Sequence, residues 1–251
     1  MSTDPTRPLP TDWQNPRHGA PVYEPRRRRF PVKTTIALVV LIVLLVVADR
    51  VAAAVAENEV ASKVQTSMSL SGKPSVDIKG IPFLTQVIGQ DFHTVVITGH
   101  NLTDGQLDLA NIDITANNIH THGFSSATIG SLNGTITVTL TSAANALGLP
   151  AALTLSPDGP NTVKATASVL GFSTSETARV SVGSGNKIQV QVLNAGQLSS
   201  LLGGNTSFSF AVPHLPSGVT LTGVTVTSGG VQISFSGTNA TFSQLPETLP
   251  A

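Results

Sequence analysis

The chain has 251 residues, with 14 Lys and Arg balanced by 14 Asp and Glu and no cysteine, which excludes disulfides, thiolate-ligated zinc, iron–sulfur clusters and thiol catalysis. The neutrality hides a partition: residues 1–35 hold seven Lys/Arg and three Asp/Glu, and the remainder holds seven and eleven. A mildly acidic body without a basic patch argues against nucleic acid as a partner, and a body of this length can bury a sizeable core without covalent staples.

In chain order, residues 1–33 come first. They are rich in Pro, Arg and Thr, with almost no apolar periodicity. A disordered basic tail on the cytoplasmic side is expected, drawn to anionic lipid heads of the inner leaflet. The single Trp13 and single Tyr23 both lie in this tail.

Residues 36–48 read IALVVLIVLLVVA, directly behind Arg26, Arg27, Arg28, Arg29 and Lys33. Such a run enters a bilayer and leaves the preceding tail in the cytoplasm, because Lys and Arg resist translocation. The transmembrane segment is drawn at residues 34–56. From Thr34 to Ala48 a helix rises only ~22 Å, against ~30 Å of hydrocarbon. Ala54-Val55-Ala56 also offers a small-residue site like that of a signal peptidase. An uncleaved anchor and a cleaved signal with a periplasmic or secreted product therefore both stand. The long tail and the helical pattern running on to residue 66 favour the anchor. A core helix of a cytosolic protein is disfavoured by the Arg run.

Residues 49–66 form a helical pattern, with Val51, Val55, Val60 and Val64 near one stripe. After Pro74 the period changes to two. Strands are predicted at residues 75–79, 92–98, 106–119, 134–141, 162–169, 172–182, 187–193, 207–212, 219–227 and 231–236. Short helices are predicted at 82–88, 142–147 and 195–202. Within 106–119 the apolar phase slips at Ala110-Asn111, which predicts a bulge. In the strand from 134, Ile136, Val138 and Leu140 are expected inward and the Thr residues outward. In the strand from 187, Ile188, Val190 and Val192 oppose Gln189 and Gln191. Ser228-Gly229-Gly230 is a hairpin turn. The domain is drawn at residues 57–244, with a C-terminal tail at 245–251.

One-sided alternation implies antiparallel sheets wet on one face. The expected fold class is α+β: a long N-terminal helix packed in a strongly curved antiparallel sheet. A two-sheet sandwich is the competing solution.

Common catalytic signatures are missing: no G-x-S-x-G, H-E-x-x-H or G-x-x-x-x-G-K occurs. Asp104, Asp108 and Asp113 are close in sequence, but nothing sets two of them across a cleft. His120 and His122 share one side of a strand, yet two ligands without a locatable third make no metal site. The expectation is a non-enzyme without cofactor or metal. Phe is the sole aromatic of the outer domain. Sugar-binding surfaces usually present Trp or Tyr, whereas an acyl-chain pocket needs neither.

The segment SVDIKGIPFLTQVIGQDFHTVVI, with DRVAAAVAENEVASKVQ before it and GVTVTSGGVQISFSG near the end, resembles the actinobacterial LmeA-type phospholipid-binding family. The most specific element is the Gly-x-Pro-Phe-Leu-Thr-Gln unit from Gly80 to Gln86. The resemblance spans roughly residues 48–242. It implies an envelope protein behind an N-terminal membrane segment, with a fold similar to the BPI-like lipid-binding modules. It also implies phospholipid as ligand and a link to mannan or lipoglycan elongation. Envelope glycosyltransferases are the protein partners that follow.

Phe83, Leu84, Val87 and Ile88 form an apolar cluster on the short helix of that unit. If the helix caps a groove, Phe83, Leu84 and Val87 are candidate acyl-chain contacts. The alternative is that these residues are ordinary core. The protein would then be a structural or scaffold domain of envelope assembly, with a filled core and a protein partner.

Overall fold

In the computed structural model the described residues are 32–105, 107–122, 126–169, 172–194, 204–212 and 215–243. Nearly all of the expected tail at 1–33 lies outside them, as do the expected helix at 195–202 and the tail at 245–251. The chain divides into two compact units, residues 1–43 and 44–251. Of the first unit, residues 32–43 are described. They are helical, and the large apolar side chains from Ile36 to Val43 are exposed.

Helix α1 spans Val32–Ser67 without interruption. It contains no Gly or Pro, the residues that most disfavour a helix interior. Ser69 stops it by taking a left-handed φ of 51°, and the Leu70 N–H turns back to Gln65 O at 2.9 Å. Its Ile36–Ser67 part is long and apolar enough to cross a membrane. From residue 49 the character changes. Ala53 and Ala61 are buried, with Ala52, Ala56 and Val60 beside them, against Val76 and Ile78. The small alanines let the helix lie close to the strands.

The body of residues 44–251 is mostly strand, and every pairing is antiparallel. Its elements are β1 (Ser75–Lys79), α2 (Phe83–Gly89), β2 (Asp91–Asp104), β3 (Leu107–His122), β4 (Ser126–Val138), α3 (Leu140–Ala146), β5 (Leu153–Gly159), β6 (Thr162–Val169), β7 (Phe172–Gly183), β8 (Lys187–Val192), β9 (Ser207–Ala211), β10 (Ser217–Thr227) and β11 (Gly230–Ser243). They form two sheets; one wrapped sheet was the expectation and a two-sheet sandwich its alternative. The six-stranded sheet runs β1-β2-β3-β4-β11-β10, and the five-stranded sheet runs β5-β6-β7-β8-β9.

Most strands fall where the period-two pattern predicts them. The slip at Ala110-Asn111 is a break in register between Leu109, opposite Val138, and Asn111, opposite Thr137. Three differences are informative. Strand β5 is absent from the sequence reading because Pro157 and Asp158-Gly159 signal a turn. It is an edge strand, where Pro is tolerated. Leu140 is not the inward end of a strand but the first residue of α3. Thr137, expected outward, is buried.

Both edges of the six-stranded sheet are covered. At β1 the Ile78 N–H donates to Glu57 Oε1 of α1 at 2.9 Å, so a helix side chain satisfies an edge donor. At β10 the Val226 N–H donates to Pro160 O at 2.7 Å. Asn186, between β7 and β8, donates from Nδ2 to Val219 O and accepts the Leu221 N–H at Oδ1, both at 3.1 Å. These bonds hold the two sheets together at β10. The hairpin into β11 requires glycine at Gly230. Its φ is +139°, and a Cβ there would stand 2.0 Å from Val138 O.

Candidate functional site

The alternation of the strands decides where the site forms. On β8, Ile188, Val190 and Val192 point to one face and Gln189 and Gln191 to the other, as their spacing predicts. Phe208 and Phe210 of β9 pair with Val190 and Ile188 and add rings to the same face. Ala178 and Val180 of β7 pair with Val192 and Val190. Val163 and Ala165 of β6, with Leu153 and Leu155 of β5, complete an apolar floor. The opposing wall comes from the six-stranded sheet, through Leu107, Val138, Val231 and Ile233. Helix α3 covers one side with Leu140, Ala143 and Ala146, followed by Leu147 and Leu149.

Between these walls lies a partly open cavity of about 120 Å³, and each of its lining residues is apolar. That space would hold several water molecules, but water needs two to four polar partners to stay, and this lining offers none. Left empty, 120 Å³ of cavity costs about 3 kcal/mol in lost packing. An apolar occupant removes that cost. A chain of methylenes fits the requirement, because it brings no polar group that the walls would leave unsatisfied. Glu176 lies on the same face of β7, two residues before Ala178, and pairs with Ala165. It is buried and bounds the apolar floor at that end.

Helix α3 is held over the cavity by a polar clasp. Thr139 caps it, its Oγ1 accepting the Ser142 N–H at 3.2 Å. Ser142 Oγ accepts the Asp108 N–H and donates to Asp108 Oδ2, each at 2.8 Å. The Thr139 N–H donates to Asp108 O at 3.0 Å. Asp108 is thus a docking residue for α3.

The structure places the sequence candidates elsewhere. Phe83 is 3% exposed and packs with Ala53, Ala61, Val76 and Ile78, its ring centroid 6.2 Å from that of Phe92. Leu84 and Val87 are 39% and 43% exposed. None of the three lines the cavity. His120 pairs with Asp91. Among the described residues no group of three His, Cys, Asp or Glu could hold a metal ion. The cavity residues eluded sequence reasoning because they are spread over nine elements. The β8 alternation was the one local signal that pointed to them.

The LmeA-like phospholipid-binding family matches residues 47–236 of this chain. The chain belongs to that family. No curated protein and no solved structure matches it. The LmeA-like match takes in α2, both sheets except the end of β11, and the whole lining of the cavity. A phospholipid-binding family and an apolar chamber without polar lining are mutually consistent, since acyl chains make up the apolar part of the ligand.

Proposed function

We propose that this LmeA-like protein is a membrane-anchored, extracytoplasmic phospholipid-binding protein that takes acyl chains into the cavity between its two sheets. The observation that carries this is the wholly apolar lining. Moving a chain from bilayer to cavity exchanges one apolar surrounding for another, so the gain is the filling of the void, about 3 kcal/mol for 120 Å³. A gain of that size favours reversible exchange over permanent capture, which suits a lipid shuttle. Moving the same methylenes through water would cost about 0.8 kcal/mol each. Keeping the cavity near a bilayer avoids that crossing, and this is the role given to α1.

The tail is placed in the cytoplasm and the body outside, from the Arg run before the apolar segment. Support of mannan or lipoglycan assembly, with an envelope glycosyltransferase as protein partner, is the pathway that fits such a carrier. The six-stranded sheet is taken as the curved sheet of a BPI-like module. Support comes from the alanines of α1 against β1 and β2 and from the bulges in β3 and β10.

The test is denaturing extraction of the purified full chain, followed by lipid mass spectrometry, on the native protein and on Ala178→Phe. Phospholipid in the native protein and its loss in the filled variant are expected. Native protein free of phospholipid that also fails to take it from vesicles would overturn the reading. Crosslinking of that lipid-free protein to a glycosyltransferase would then favour the scaffold alternative. N-terminal sequencing of the mature protein separates an anchor from a cleaved signal.

A further inference from the structure

We propose that residues 81–88 form a second membrane contact, in which Ile81, Leu84, Val87 and Ile88 enter the headgroup–acyl boundary of the outer leaflet beside the end of the α1 span. This rests on the anchor reading above. Leu84, Val87 and Ile88 follow the spacing i, i+3, i+4 on α2, an apolar helical stripe that normally faces a core, and Ile81 precedes the helix beside the extended Pro82. Here the stripe faces outward. Ile81 and Ile88 are 76% and 84% exposed, while Phe83 and Gln86 hold the opposite side of α2 inside the protein.

The position of the stripe is set by two adjacent residues of α1. Asp49 Oδ1 accepts the Leu84 N–H at 2.8 Å, and Arg50 Nη2 donates to Gly80 O at 3.2 Å. Asp49 and Arg50 follow directly on the apolar run that ends at Ala48. The stripe is therefore locked to the end of that run, where Leu44, Leu45, Val46 and Val47 are themselves exposed. The Asp49–Leu84 bond keeps the exposed apolar residues of α2 next to those that end the run, so a single lipid surface would cover both. Arg50, paired with Asp49, and Lys79, paired with Asp77 and next to Gly80, keep much of their side chains exposed, and at a bilayer surface such cations meet lipid phosphates. A soluble protein partner would have to share this site with the bilayer into which the helix runs.

The chain has no cysteine, so Ile88→Cys introduces a unique thiol. A nitroxide attached there, on the full chain in phosphatidylglycerol–phosphatidylcholine vesicles, reports its surroundings through oxygen and nickel-chelate accessibility. Ser228→Cys, at the exposed β10–β11 turn, is the water-facing reference. Oxygen accessibility well above that of the chelate at position 88, and the reverse at 228, is the expected result. Chelate accessibility equal to that at 228 would overturn the contact. Low accessibility to both reagents, or a disulfide-linked dimer of Ile88→Cys, would assign the stripe to a second copy or another protein and overturn it equally. Alkaline extraction of the same vesicles tests the anchor separately. A protein that resists extraction yet shows a water-exposed label loses only the second contact; one that is extracted loses the anchor reading.

Discussion

Asp49 and Leu84 are 35 residues apart in sequence, and the Asp49 carboxylate accepts the Leu84 N–H at 2.8 Å. The same carboxylate holds Arg50 at 2.6 Å, so one buried acid ties the helix to the first turn of α2. Substituting Asp49→Ala removes the acceptor and leaves the Leu84 N–H without its partner. We expect amide exchange at Leu84 at least about tenfold faster, with little change at Ile188, which lies in the other sheet. Hydrogen-exchange mass spectrometry resolves the two segments. Unchanged protection at Leu84 would show that this tie is not what holds α2.

Ile188→Ala should behave differently with and without lipid. Ile188 is buried in the cavity wall, and its truncation costs about 2–5 kcal/mol in an unfilled core. An acyl chain can occupy part of the new space. The loss of stability should therefore be smaller in lipid-loaded protein than in delipidated protein. Urea unfolding of both forms reads the difference. Equal losses would place the lipid outside this cavity.

Ala178→Phe should reverse that pattern. Its ring enters space that is otherwise empty, so the delipidated variant recovers part of the ~3 kcal/mol cavity cost. The margin is limited by overpacking, which takes back about 1–3 kcal/mol where the fit is poor. Lipid added to the variant should then raise its melting temperature far less than it raises that of the native protein. Differential scanning fluorimetry with and without phosphatidylglycerol checks this.

Ser142→Ala opens the clasp of α3. The Ser142 hydroxyl is fully buried and serves Asp108 twice, so its removal leaves the Asp108 N–H and carboxylate each short of a partner. A cost of about 1–3 kcal/mol is expected. Because α3 covers one side of the cavity, exchange of a fluorescent phospholipid between protein and vesicles should become faster. A slower or unchanged rate would mean that α3 does not gate entry.

Much of the strand layout was legible from period-two alternation alone. The bounds of β1 and β6 match the sequence reading residue for residue, and the bulge after Leu109 was visible as a phase slip. These features are local, since a strand with one wet face must alternate and a bulge must break the alternation. Strand β5 was not legible, because Pro157 and Gly159 carry turn signals and only its place at a sheet edge makes them tolerable. Phe83 stood open between groove and core, because a short apolar helix looks the same whether it lines a cavity or fills a core. Its burial against Ala53 and Ala61 followed only once α1 was in place.

By itself the sequence determined the apolar span behind its Arg run, the antiparallel strands, and a family whose ligand is phospholipid. Each of these depends on composition, periodicity or a short motif. Only the tertiary structure decided that the strands part into two sheets and that the chamber opens between them under α3. The physical reason is that a void belongs to no single segment. Val138, Ala143, Val163, Val190 and Ile233 each read as ordinary core, and whether their side chains meet or leave space depends on how far apart the packed sheets hold them.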